Sequence, residues 1–405
     1  MNFDFKKKYD VVVAGAGIAG ISAALAAARR NRKVCLLEKQ TLIGGLATAG
    51  LIYIYLPLCD GENHQVTFGI AEELLLEGRA FGPFDVSPQW GGKGKELDDA
   101  LLSEGAKKTS GIQPRTRYAC PFTPAGMILK LDELLHEAGV DLWLETLLCG
   151  VITERNSVTG VVVENNSGRG MIEGACFIDT TGDAGVVRRA GGDVIFGENK
   201  NTPWLLGYRT GNTVGYTLGN SVIMETVSVG KIAPIPYKNT GMDVTKFIRK
   251  SWELIRDHYR KIYLEKPQDE VYPLILASMP QFRRISCILA RETIYTEDVN
   301  TCRNNSVGMV GDWRYAGNIW EIPYGALLPQ KLENILVAGR CIGSMNDAWE
   351  ACRVIPAGAM TGEVAGCGAS LSIELGIPPS AVPLETLRNE LRKNNFRFHR
   401  DEILK

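Results

Sequence analysis

Two kinds of apolar pattern alternate along the first forty positions. Val11-Val-Val-Ala14 is an uninterrupted apolar run that stops at Gly15. It is too short for a helix and suits a strand buried on both faces of a parallel sheet. Ile18, Ile21, Leu25 and Ala28 then recur at helical spacing through an alanine-rich stretch ending at Arg29 and Arg30, which predicts a helix with a buried stripe. Val34-Cys-Leu-Leu37 predicts a second strand, ending at Glu38. Further on, Met127, Leu131, Leu134 and Leu135 mark a helix over 124–138, stopped by Gly139. β-rich runs at 148–153, 158–164 and 170–173, with the turn Asn165-Asn-Ser-Gly168 between the last two, predict a small β-meander. Residues 192–320 have a different texture: β-type patches, a helical stretch over 244–263, and Pro234, Pro236, Pro273 and Pro280. This region reads as an α+β substrate or cap domain inserted between 1–191 and 321–405. The charged, glycine-bounded segment 91–111 lacks apolar periodicity and reads as an exposed loop or lid.

The glycines between the first strand and helix carry the first chemistry. Gly15 permits a sharp turn, Gly17 removes a side chain that would keep backbone from a pyrophosphate, and Gly20 lets helix and strand pack closely. An anion would sit on amides at the helix start. Glu38 falls where an acid can accept hydrogen bonds from an adenosine ribose. Strand, turn, helix, second strand and acid together read as a dinucleotide site. Three further segments favour FAD over NAD. Gly44-Gly45-Leu46 through Gly50 lets backbone run along a long cofactor. Ala175-Cys-Phe-Ile-Asp179-Thr-Thr-Gly182-Asp183 and Asn334-Ile-Leu-Val-Ala-Gly339-Arg340 are apolar strands that each deliver glycine and a polar residue to one end of a sheet.

These pieces resemble the FAD-dependent oxidoreductase family with a Rossmann-like, glutathione-reductase-type FAD domain, related to the flavoproteins of fumarate reductase and heterodisulfide reductase. Ile322-Pro-Tyr324, Leu332-Glu-Asn334 and Arg353-Val-Ile-Pro356-Ala-Gly358 through Gly366 also match it, so the resemblance spans nearly the whole chain. It implies that Gly15, Gly17 and Gly20, with Ala19, hold the pyrophosphate. Glu38, with Lys39, would hold the adenosine ribose, and Gly44, Gly45 and Leu46 would run beside the cofactor. Asp183 and Arg340 would lie near the ribityl and phosphate region, and Asp179, Gly182 and Gly339 would also be cofactor-binding. The helix starting at Pro356 to Gly358 would face the isoalloxazine, its positive end stabilising a reduced, anionic flavin. The chain departs from the family at Gly325, where arginine often stands, and at Ser344-Met-Asn346-Asp347, where histidine often occurs.

Composition narrows the partners. With 405 residues, 45% of them hydrophobic, and 44 glycines, the chain suits a multi-part α/β enzyme. A net charge of −1 offers no basic field for nucleic acid, and Lys6-Lys-Lys8 reads as a solvated arm. With no cleavable apolar leader and no run near the ~20 apolar residues of a membrane span, a cytoplasmic protein is expected. None of the ten cysteines forms a Cys-x-x-Cys pair, so no metal, cluster or redox-disulfide spacing is present. Cys341 could lie near a flavin or be a small buried hydrophobe. No second Gly-x-Gly-x-x-Gly occurs between Gly191 and Tyr315, so electrons must come from a substrate, a carrier or a partner protein.

Catalytic candidates are fewer. His64 could move a proton near the flavin or be a loop histidine bonded to backbone. Arg283 and Arg284 could clamp a carboxylate, at most one of them pointing inward if the segment is extended, or make an interdomain salt bridge. Arg353 and Glu350 could pair structurally or line the site. The expected function is hydride transfer between flavin N5 and a small polar organic substrate. The alternatives are an electron-transfer flavoprotein working with a partner protein, and a binding or tRNA-modifying-type module in which FAD is structural.

Overall fold

The computed structural model describes residues 2–62, 64–82, 120–210, 217–218, 221–227, 235–236 and 240–404. The segment 91–111, expected as a loop or lid, lies outside them. Strand β1 (Phe5–Ala14) is at the heart of a seven-stranded sheet. On one side it pairs in parallel with β2 (Val34–Leu37), which pairs with β3 (Asp141–Trp143). The meander strands β4 (Leu147–Glu154), β5 (Ser157–Asn165) and β6 (Gly168–Asp179) follow in antiparallel register. β6 is longer than the third expected run because it continues through the apolar stretch at 175–179. One of its edges pairs along β1, with Phe5 opposite Gly170 and Ala14 opposite Asp179. Its other edge serves β5 first and then, at Phe177 to Asp179, the late strand Ile335–Val337. The C-terminal ends of β1, β2, β6 and Ile335–Val337 therefore finish together.

Helix α1 (Ile18–Ala28) shows why the sequence is so rich in small residues. The stripe of Ile18, Ile21 and Leu25 is buried, but so is every other residue from 18 to 27. The reason is the long helix α7 (Ile355–Leu375), which packs beside α1 and, like it, on the sheet. A β-carbon added at Gly362 would be 2.2 Å from the Ala19 carbonyl oxygen, and one at Gly366 would be 2.4 Å from that of Ala23. The two backbones touch, as small-residue helix interfaces allow. α3 (Pro124–Glu137) follows the expected bounds and starts at Thr123, whose hydroxyl accepts from the Gly126 amide.

Glu363 is buried in this layer. Its Oε2 accepts from the Ile70 amide at the start of α2 (Ile70–Glu77), and its Oε1 accepts from the Asn394 side chain. Burial pushes its carboxyl up to about 7; the two hydrogen bonds oppose the shift and Glu73 adds to it.

The second unit is α+β. Strands β7 (Trp204–Arg209), β8 (Val222–Thr226) and β9 (Val271–Leu276) pair antiparallel, with Thr217–Leu218 at one edge. Helix α5 (Gly241–Ile262) covers them through Leu254, Ile255 and Tyr259, packed with Leu205, Val227 and Val271. Thr240 and Asp243 form a capping box at its start. From Ile294 onward the chain is back in the main core, where Val307, Val310, Trp320 and Ile322 are buried with α1 and α7. Among the described residues no helix is long and apolar enough to cross a membrane.

Two outcomes follow from this packing. Gly362→Val forces α1 and α7 apart and is expected to cost about 3 kcal/mol or more, seen as a large fall in Tm or loss of folded protein; an unchanged Tm would mean the helices do not meet there. Glu363 binds its proton more tightly folded than unfolded, so its contribution is most favourable in acid and declines as pH rises from the ordinary carboxylate range through about 7. The Tm of the native protein relative to Glu363→Gln should therefore fall between mildly acidic and mildly alkaline buffer, and a rise would refute the burial argument.

Candidate functional site

A cleft of about 360 Å³ runs across the C-terminal ends of β1, β2, β6 and the strand Ile335–Val337, where open α/β sheets bind ligands. Its floor is the turn after β1. Gly15 has φ +103° and a β-carbon there would be 2.7 Å from the Thr180 carbonyl oxygen; one at Gly20 would be 1.9 Å from that of Gly15. The Thr180 hydroxyl donates to the carbonyls of Ala14 and Gly15 at 2.9 and 2.7 Å, locking the turn to the end of β6. Gly17 is different: a β-carbon there meets nothing within 4 Å. Its glycine leaves open space in the cleft rather than relieving a clash. Gly44 pairs with Gly17 in a parallel bridge, and the Gly44 amide donates to the Ala16 carbonyl at 2.7 Å, so the second glycine loop borders the same space.

Glu38 stands at the end of β2, its Oε2 accepting from the Ala16 amide at 2.9 Å and its Oε1 from the Gln40 amide at 3.1 Å. Burial raises its pKa, against the pull of these amides. At the other end of the cleft, the first turn of α7 contributes Ile355 and Gly358, with Val354 before it. Pro356 sits at the start of the helix without lining the cleft, a position that suits its fixed φ and missing N–H. Between them, Arg340 donates from Nε to the Gly182 carbonyl at 2.7 Å and ties the turn after the strand Ile335–Val337 to the end of β6.

The roof comes from the α+β unit. Met279, Pro280 and Phe282 line the cleft. Their loop is tied down by Gln281, whose amide nitrogen donates to the carbonyls of Gly50 and Trp204 at 2.6 and 3.0 Å, and by the Ser278 amide, which donates to the Ala49 carbonyl. Behind the loop is a group of charges. Glu350, on α6 (Asn346–Cys352), accepts from Arg353 Nε at 2.7 Å and lies 3.2 Å from Arg284 Nε. Burial works to raise the Glu350 carboxyl, but Arg353, Arg284 and Arg314 outweigh it and hold it below the usual range. Arg283 goes elsewhere: its Nη1 donates to the Gln281 carbonyl at 2.6 Å, and its guanidinium lies 5.9 Å from the Trp204 ring centre. Burial, together with the positive charges of Arg353 and Arg340, lowers its pKa to about 9.

Of the residues singled out from sequence, Gly15, Gly17, Ala19, Glu38, Lys39, Gly44, Gly45, Leu46, Gly182, Asp183, Gly339, Arg340 and Gly358 border the cleft. Gly20 and Pro356 shape its walls from behind. Asp179 does not line it: its Oδ1 accepts from the Thr181 amide and hydroxyl, and its Oδ2 from the Val186 and Val187 amides, so it holds the start of α4 (Gly185–Arg189). His64 does not line it either. Its Nδ1 is 2.8 Å from Asp60 Oδ2, and Asp60 Oδ1 accepts from the Glu62 and His64 amides, closing a local loop. Arg284 forms an ion pair, and Cys341 is a buried thiol donating to the Ala338 carbonyl, pushed up to about 12 by burial. Gly325 abuts Glu292, and Asp347 pairs with Arg314. Thr146 to Leu148 and Met279 to Phe282 were not foreseen; they reach the cleft only through pairing distant in sequence.

The chain resembles several known proteins. A digeranylgeranylglycerophospholipid reductase of Picrophilus torridus is 27% identical over 164 residues, covering 39% of this chain and 35% of that protein, so the match spans about a third of the relative's length. A geranylgeranyl bacteriochlorophyll reductase-like structure from Thermoplasma acidophilum superposes with a TM-score of 0.50 at 14% identity, covering 96% of this chain and 84% of the other. BexE, whose structure concerns oxidation during BE-7585A biosynthesis, gives 0.52 at 14%, with 96% and 67% covered. At such identities the likeness is one of fold, and that fold is the Rossmann-like one expected. The family description "FAD dependent oxidoreductase" matches residues 10–264 and 294–391. The chain belongs to that family and is an FAD-dependent oxidoreductase.

Proposed function

We propose that FAD lies extended along the cleft, with its pyrophosphate over Gly15 to Gly20, its adenosine ribose at Glu38, and its isoalloxazine at the first turn of α7. The residues present fit the group. The observation that carries the reading is the contrast among the three glycines: Gly15 and Gly20 are required by backbone contacts, whereas Gly17 has open space where a β-carbon would be. Bound there, FAD would supply hydride exchange at flavin N5 with a small polar organic substrate.

The chain's own residues do the rest. Glu38 accepts the ribose hydroxyls from a carboxylate already oriented by two amides. The start of α7 turns its positive dipole end to the cleft, which favours negative charge nearby. The loop 278–282 covers the opposite side, consistent with a cap formed within 192–293; residues 294–320, expected in that cap, pack in the main core with the cofactor unit instead. His64 is given no proton-transfer role, because Asp60 holds its ring outside the cleft wall. The reductases among the similar proteins fit a chemistry of this kind.

Gly17→Val separates cofactor binding from folding. With φ −72° and nothing within 4 Å of its β-carbon, it should keep the native Tm while weakening FAD binding about tenfold or more in a fluorescence titration; native affinity would place the pyrophosphate elsewhere. Anaerobic mixing of the FAD-loaded protein with pooled metabolites and with NAD(P)H tests the reaction itself. Bleaching of the oxidised-flavin bands by one pool is expected, and a loaded protein that none of them bleaches would refute action on a small substrate.

A further inference from the structure

Three side chains from distant parts of the chain converge outside the cofactor cleft. Cys302 lies in the loop before the strand Ser306–Gly311, Glu321 in the strand Ile319–Pro323 that pairs with it, and His399 just ahead of the last short helix, Arg400–Glu402. The His399 Nδ1 is 2.9 Å from Glu321 Oε2 and 3.7 Å from Cys302 Sγ, and one ligand atom of each residue lies within 4.8 Å of the others. None of the three lines the cleft. His399 is 78 residues from Glu321 and 97 from Cys302, so no short spacing in the sequence marks them as a set.

The arrangement is unlike a proton relay. A relay uses both ring nitrogens of histidine, one for the thiol and one for the acid. Here the thiol and the carboxylate both face Nδ1, and a proton on that nitrogen can serve only one of them. Nε2 faces Arg388 Nη2 at 3.4 Å, a long contact for a guanidinium whose bonds to the Ser306 and Asn304 carbonyls and to Glu385 are 3.0, 2.8 and 2.9 Å. Glu321 is buried and already oriented, its Oε1 accepting from the Arg400 amide at 2.9 Å and its Oε2 from the Arg303 amide at 2.8 Å. Cys302 is exposed, which leaves an approach from solvent and room for a water. Thiolate, imidazole and carboxylate are a zinc donor set, and around a tetrahedral zinc such atoms stand about 3.3 to 3.6 Å apart. The Sγ–Nδ1 separation is close to that, and the Nδ1–Oε2 pair has to open by about 0.4 Å. Thiolate and carboxylate together balance the charge of a divalent ion.

We propose that Cys302, Glu321 and His399 hold a zinc-type divalent ion, with water as the fourth ligand, as a clamp on the C-terminal segment. On binding, the thiol gives up its proton and the histidine carries its own on Nε2, leaving Nδ1 to the ion. The segment that the ion fastens follows the helix Leu384–Arg392, buries Phe396 and Phe398, and reaches α7 through the bond from Asn394 to Glu363. The site is separate from the flavin chemistry and does not depend on it.

Isothermal titration calorimetry of tag-free, chelator-stripped, FAD-loaded protein with zinc tests the assignment. About one site per chain is expected, with a Kd of about 1 μM or lower. Cys302→Ser, a change at an exposed position, should keep the zinc-free Tm and weaken zinc about a hundredfold or more, and His399→Gln should weaken it likewise. Cys149→Ser, which removes the other exposed thiol, should leave the affinity unchanged. Zinc should raise the Tm of the native protein and not that of Cys302→Ser. X-ray absorption at the zinc edge should show one sulfur at about 2.3 Å among nitrogen and oxygen neighbours. The proposal is overturned by the absence of saturable binding, by an affinity that Cys302→Ser leaves untouched, or by a zinc shell without sulfur.

Discussion

The backbone contact between α1 and α7 is the constraint on which the rest of the site depends. Ala19 and Ala23 present carbonyls to Gly362 and Gly366 at distances that no β-carbon could share. Because the helices touch there, the amino-terminal turn of α7 arrives beside the turn after β1, although more than three hundred residues separate them. The same contact brings Gly358 within 4.0 Å of Ala19, measured from the position its β-carbon would take. A looser pair of helices would still bury apolar surface, but the two ends of the cleft would no longer share one set of strand termini.

The site is then completed from both units by polar groups that fix backbone. Thr180 locks the β1 turn, Asp179 fixes the start of α4, and Gln281 fastens the 278–282 loop to Gly50. None of these is an evident reactive group. They hold the cleft open against collapse, which suits a cofactor that brings its own chemistry and asks of the protein mainly orientation and shielding. Behind the 278–282 loop, Glu350 balances Arg284 and Arg353.

Much of this was legible in the sequence because the informative signals are local. Gly15, Gly17, Gly20 and Glu38 fall within one strand-turn-helix-strand unit, so spacing alone places them together. The meander and the helix over 124–138 were equally plain. What depended on distant pairing was not. Nothing near Thr146 or Met279 marks either as a cleft residue, since each arrives through strand order or through a loop tied down by Gln281. Asp179 looked like a ligand acid because it ends a strand beside Gly182, yet its oxygens are consumed by Thr181 and α4. Glu363 gave no signal at all: its partners are the start of α2 and Asn394, far away in sequence. The apolar stripe of α1 was right but incomplete, because a helix covered on every side no longer needs an amphipathic pattern.

A crystal structure of the protein grown with FAD tests the central claim most directly. Density for the adenosine ribose at Glu38, the pyrophosphate over Gly17 and the isoalloxazine against residues 355–358 is the expected result. FAD bound at any other place, or a Gly17 turn left vacant at saturating FAD, would overturn it.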